Sequence, residues 1–183
     1  MTMHTILHLG LGSFHRAHQA VYVHQLRQQG DTRWSITGGN LRPDMPETIA
    51  ALQAQDGRYT LETVTPQGER SYTVIESIRR VIPYQDDLAP LIAAGADPAT
   101  RIISFTVTEA GYYLDAANRL DWNSFPDLRA DLEAVTQGQA GHTIYGGLVC
   151  ILRARMRAGA GPVTLMNCDN LRHNGERSRG GLL

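Results

Sequence analysis

The sequence predicts an α/β fold built on a mostly parallel sheet, with an antiparallel hairpin inserted into it. Three observations lead there. A short apolar run at residues 5–9 passes through Gly10-Leu11-Gly12 into a helical pattern over residues 17–29. Strand, glycine turn, helix is how a dinucleotide-binding domain begins, because backbone N–H groups at the helix start can face a pyrophosphate. Residues 101–107, Arg-Ile-Ile-Ser-Phe-Thr-Val, are mostly apolar or β-branched, as a strand buried on both faces requires. Between them, residues 59–65 and 69–75 read as two strands joined by Pro66-Gln67-Gly68, a turn by its chemistry.

In the glycine turn, Gly10 lets the chain reverse tightly, and Gly12 removes the Cβ that would collide with a phosphate. The third glycine of the usual fingerprint falls at position 15, where His15 stands. Ser13, Phe14, His15 and Arg16 follow at the helix start, where Arg16 and the backbone N–H groups can meet phosphate. Residues 34–37 form the next strand, ending in Gly38-Gly39-Asn40-Leu41-Arg42-Pro43-Asp44. The acid that holds an adenosine ribose sits at the end of this second strand. No carboxylate occupies residues 38–41, so Asp44 is the first candidate. Arg42 could instead meet a 2′-phosphate, and Asp44 could simply cap the helix beginning near Pro46.

Helices are expected over residues 46–55, 86–94, 126–135 and 143–157, with residues 95–98 breaking the second of these. The last is the strongest: Ile144, Leu148, Ile151 and Leu152 make one apolar face. Arg153, Arg155 and Arg157 collect at its end, and a solvated cationic terminus favoured by the helix dipole is the expectation for them. A final strand at 163–166 delivers Asn167-Cys168-Asp169-Asn170-Leu171 to the edge where Thr108 and Glu109 emerge from the 101–107 strand. Ligands of parallel sheets lie beyond the carboxyl ends of the strands, so these segments belong to one cleft of a Rossmann-like domain.

The 183 residues suffice for one domain, residues 1–183, with a net charge of −1 that implies no nucleic-acid surface. No apolar run is long enough to suggest a membrane span, and the first residues lack a signal-peptide pattern. Two cysteines, Cys150 and Cys168, fit free thiols and a cytoplasmic setting. All 17 basic residues are arginine. The absence of lysine excludes a Walker-type phosphate loop, a Tyr-x-x-x-Lys site, a Schiff base and a lysine general base. His4, His8, His15, His18 and His24 crowd the first strand and helix, but no nearby carboxylate completes a metal set, so no metal is expected.

Residues 9–20, Leu-Gly-Leu-Gly-Ser-Phe-His-Arg-Ala-His-Gln-Ala, resemble the N-terminal fingerprint of the mannitol dehydrogenase family, the polyol-specific long-chain dehydrogenases, in which the third glycine is commonly replaced. Residues 106–112 resemble that family's Thr-x-Thr-Glu-Gly-Gly-Tyr motif with Ala110 at one glycine, and residues 167–171 resemble its Ser/Thr-Cys-Asp-Asn-Leu segment. The resemblance runs from residue 7 to residue 183 and is greatest to the branch that interconverts D-arabinitol and D-xylulose. It implies NAD as cofactor, no metal, Asp44 on the cofactor, and Asn170 polarising the substrate oxygen. It also implies a lysine base in a second, mostly helical domain, before which these residues stop. Activity of these residues alone is then not expected. The implied partners are a small polyol or ketose, and either a separate C-terminal domain or a second copy meeting exposed apolar surface. A stand-alone nucleotide-binding module without a reaction is the alternative, as is a mannitol- or hexuronate-specific member of the same family.

Overall fold

The first strand, β1 (His4–Leu9), is the middle strand of a five-stranded, wholly parallel sheet. The computed structural model describes residues 2–117 and 119–183. On one side of β1 lie β2 (Trp34–Gly39) and β5 (Ile78–Ile82); on the other lie β6 (Thr100–Phe105) and β7 (Thr164–Asn167). The hairpin β3 (Tyr59–Val64) and β4 (Arg70–Ile75) forms a separate antiparallel pair, in register from Tyr59↔Ile75 to Val64↔Arg70. The expected mixed architecture is therefore present.

Side chains alternate across β1 and found two cores. Ile6 joins Leu11, Val23, Ile36 and Ile78 on the face covered by α2 (Gln19–Gln28) and α3 (Pro46–Ala54). Leu7 and Leu9 join Leu91, Phe105, Leu148 and Ile151 on the face covered by α4 (Ala89–Ala96) and α6 (Ile144–Arg157). The remaining helices are α1 (Ser13–Ala17), α5 (Pro126–Thr136) and α7 (Asn174–Leu182).

Several expected boundaries move, each for a local reason. The helix expected over 17–29 is two helices that break at His18, whose backbone sits at φ −124° and ψ −86°. There the Phe14 carbonyl that an unbroken helix would bond to the His18 N–H lies 2.8 Å from the His18 ring Nδ1, and the N–H turns to His15 O. The second strand does not stop before Gly38 and Gly39 but includes them. A Cβ on Gly38 would fall 2.3 Å from the Leu11 side chain, so this glycine serves close approach, not a turn. Gly95 likewise sits inside α4, where a Cβ would meet Ile151 at 2.2 Å. β5 escapes the sequence reading because the exposed Arg79 and Arg80 interrupt its apolar pattern at the sheet edge.

Arg155 corrects the expectation of a solvated arginine end. It is 3% exposed, and its guanidinium donates to the carbonyls of Gly95, Asp97, Ala160, Gly161 and Pro162 at 2.7–3.2 Å. Arg153 and Arg157 are exposed as expected. A guanidinium carries five N–H donors in a fixed fork, and here they close the C-terminal end of α4 and the loop after α6 together. Arg155→Met should therefore lower stability by about 2–3 kcal/mol, since it removes the donors of one buried and four partly buried hydrogen bonds. Urea midpoints of the two proteins measure this; a difference under about 0.5 kcal/mol would show that water replaces the guanidinium at no cost.

Candidate functional site

The sheet order reverses direction at β1 and β6, so the loops that leave their carboxyl ends diverge and open a crevice. After β1 comes the glycine turn. Gly10 takes φ +107°, a backbone conformation that L side chains rarely adopt, and Gly12 is the extended N-cap of α1. A Cβ at either glycine would meet no protein atom within 4 Å. Gly12 is thus not required by the packing of the protein itself, and the space above the turn is open. The N–H groups of the first turn of α1 have no intrahelical acceptors.

A cavity of about 240 Å³ lies beside the turn, lined by Gly10, Asn40, Leu41, Arg42, Asp44 and the loop 106–108 among others. Asn40 is the residue that sequence reasoning missed. It is buried, accepts the Leu11 N–H on Oδ1 at 2.9 Å, and donates from Nδ2 to the Asp44 carbonyl at 2.8 Å. One carboxamide thereby ties the glycine turn to the loop that carries Asp44. A side chain with both a donor and an acceptor directly after a strand-ending Gly-Gly pair was the available signal. Asp44 itself is exposed and lines the cavity; the helix it precedes is capped at Met45 with no side-chain bond, so Asp44 does not act as the cap. Arg42, on the wall of the same cavity, donates to the Tyr113 hydroxyl at 2.9 Å and His142 O at 3.3 Å, with Asp127 at 3.6 Å.

A second cavity, about 420 Å³, shares Thr106, Val107 and Thr108 with the first and adds Phe14, Tyr112, Asp169 and Asn170. Asn170 is exposed there. It does not cap α7, whose N-cap is His173. The predicted residues thus divide. Gly10, Asp44 and Thr108 line the first cavity, while Phe14, Thr108 and Asn170 line the second. Gly12 and Ser13 stand at the turn between strand and helix. The Glu109 side chain lies outside the described part of the structure.

Neither His15 nor Arg16 lines these two cavities; His15 lines a third, about 290 Å³, that shares Phe14 and Thr106 with the second. Arg16 donates to Leu11 O at 3.3 Å and lies 5.8 Å from the centre of the Tyr59 ring. His15 is buried and stacks on His8 with ring centres 3.6 Å apart. The Ser104 hydroxyl donates to Gln19 Oε1 at 2.9 Å and so accepts from His8 Nδ1 at 2.8 Å, which leaves His8 Nε2 bare. Neither ring nitrogen of His15 has a partner. Gln19 is close enough to favour the charged forms slightly without a well-formed bond to either ring. Burial dominates: it holds His8 well below its ordinary range and His15 at about 3, and each ring's charge would further oppose the other's or meet that of Arg16. Among the described residues no group of three metal-ligating side chains is assembled.

The comparisons with known proteins agree in family and in extent. Residues 4–183 match the family described as mannitol dehydrogenase Rossmann domain. D-arabinitol 4-dehydrogenase of Klebsiella pneumoniae is 56% identical over 179 residues, 98% of this chain and 38% of that protein. D-arabinitol 4-dehydrogenase of Ralstonia nicotianae is 58% identical over 179 residues, 97% of this chain and 37% of that protein. The solved ternary complex of Pseudomonas fluorescens mannitol 2-dehydrogenase with NAD and D-mannitol superposes with a TM-score of 0.87 at 35% identity, over 99% of this chain and 36% of that one. The chain thus spans well under half the length of these relatives. No helix among the described residues is long and apolar enough to cross a membrane.

The buried imidazoles make stability depend on acidity. His15 has a folded pKa of about 3 against an ordinary 6.5, so the unfolded chain binds the proton more readily between those values. Its contribution is present above the unfolded pKa and is lost as pH falls toward the folded one. From about pH 7 to pH 5 the loss should be about 2 kcal/mol for His15. Urea unfolding at both pH values checks this. His15→Phe should reduce the pH dependence by that amount, and an unaltered slope would mean that His15 titrates normally.

Proposed function

The chain belongs to the mannitol dehydrogenase family, and on that premise we propose that it holds NAD across the two adjoining cavities and presents a polyol carbinol to it, as in conversion of D-arabinitol to D-xylulose. One observation carries this reading: a cavity lined by Asp44 and one lined by Asn170 share a single loop, residues 106–108, and the first also takes in Gly10 of the open glycine turn. When bound, the dinucleotide supplies the hydride acceptor.

The chain's own residues bind and orient. The turn at 10–12 and the first N–H groups of α1 suit a pyrophosphate, and the open space at Gly12 is what such a group needs. Asp44 suits ribose hydroxyls and opposes a 2′-phosphate; Arg42, the competing feature, is committed to Tyr113, His142 and Asp127. Asn170 offers an amide donor to the oxygen on which charge develops as the hydride leaves. Phe14, 42% exposed and stacked on the His18 ring at 4.2 Å, gives the second cavity an apolar wall. Among the described residues lining that cavity, the titratable groups are Tyr112 and Asp169, and these bond each other. Binding and orientation are what the described residues of the two cavities offer. The lysine base, the substrate choice and any partner domain or second copy belong to the reading by family. Two free cysteines fit a cytosolic setting.

Titrating the purified chain with NADH and NADPH tests the reading. NADH should bind more tightly, and Gly12→Val should weaken it by about tenfold or more, equivalent to about 1.4 kcal/mol, while the protein stays folded. Tighter binding of NADPH would reject the role of Asp44. Unchanged NADH affinity in a folded Gly12→Val protein would remove the turn from the site.

A further inference from the structure

The loop at 106–108 and the segment bearing Asn170 come from different strands, yet one carboxylate joins them. Asp169 accepts the Val107 N–H at 2.9 Å on Oδ1 and the Tyr112 hydroxyl at 2.5 Å on Oδ2. Its own N–H donates to Asn167 Oδ1 at 2.9 Å, and its carbonyl accepts from Asn174 Nδ2 at 2.7 Å. The Tyr112 hydroxyl in turn accepts from Asn167 Nδ2 at 2.7 Å, and Tyr112 is 2% exposed. The residue immediately before Asn170 is thus held on its side chain and on both sides of its backbone.

We propose that Asp169, with Tyr112, is a positioning residue that sets the amide of Asn170 against the 106–108 loop and so fixes the geometry of the nicotinamide end of the cleft. This rests on the reading of the two cavities as a dinucleotide site. The bonds are short and partly withdrawn from water, which strengthens them. Burial raises both the Asp169 carboxyl and the Tyr112 phenol above their ordinary ranges, in keeping with a desolvated pair. The loop they pin lines both cavities, so a small displacement there changes how the two ends of one ligand are held. Displacements on the order of 1 Å are enough to cost large factors in reactions that depend on alignment. The adenosine end, bounded by Asn40 and Asp44, shares none of these bonds.

Asp169→Asn keeps the size of the side chain and an acceptor for Val107, but turns a donor toward a hydroxyl that already accepts from Asn167. Tyr112→Phe removes the hydroxyl and leaves the ring. Affinities for NADH and for AMP, measured by calorimetry on each folded variant, separate the two ends of the site. NADH affinity should fall by about five- to tenfold in both variants, with AMP affinity within about twofold of the parent. A general structural role would weaken both ligands in parallel, and that result, or no change in either, would overturn the proposal. If one variant fails to fold, the other carries the test. A parent chain that binds neither ligand would instead reject the dinucleotide site itself.

Discussion

The carboxamide of Asn40 is the interaction on which the cleft depends. It is buried at the end of β2, and it has to satisfy a donor and an acceptor that belong to different loops, the Leu11 N–H and the Asp44 carbonyl. The Leu11 N–H is buried, and such a group left alone costs on the order of 1–3 kcal/mol, so the turn is held to Asn40, whose other end reaches the Asp44 loop. Two glycines beneath it make this possible. Gly38 lets Leu11 press onto β2, and Gly39 faces Leu91 and Ile82 on the opposite side of the sheet. The glycine turn is therefore placed by packing from below and by one amide from the side, before any ligand arrives.

Elsewhere the polar interior follows the same principle of side chains closing backbone ends. Arg155 collects five carbonyls around the ends of α4 and α6. Asp131, buried on α5, accepts both the N–H and the hydroxyl of Thr143 at 3.1 and 2.5 Å, and Thr143 caps Gly146 in the first turn of α6. Asp169 does this between the loops after β6 and β7. The β strands supply a rigid frame through apolar burial, while a few buried polar groups set the loops that such a frame leaves undetermined. The paired histidines are the exception, since three ring nitrogens remain unpartnered and burial, by keeping both rings neutral, makes stability fall in acid.

What could be read from the sequence is what short-range chemistry decides. The strand, glycine turn and helix at the start, the buried strand at β6, the hairpin and the long amphipathic α6 are all local patterns, and each forms where it was expected to within a few residues. The candidate positions Gly10, Asp44, Thr108 and Asn170 also arrive at the cleft. The misreadings share a cause. Arg155 looked like a surface cation because its acceptors on α4 lie 58 and 60 residues away and become visible only once α4 packs on α6. Arg16, expected near phosphate because it follows the turn, donates to Leu11 O and lies against Tyr59, while the His15 ring packs on β1. Asn40 carried only the weak signal of an amide after a Gly-Gly pair, since its partners lie on two loops.

The proposed site runs from Asp44, over the glycine turn, to Asn170. Amide hydrogen exchange with and without saturating NADH tests it most directly, because each segment of the site has its own backbone reporter. Slowed exchange is expected in four segments, residues 10–14, 40–45, 106–108 and 169–171, with the hairpin and β5 unchanged. Protection that leaves the glycine turn untouched, or that centres on the hairpin instead, would contradict it.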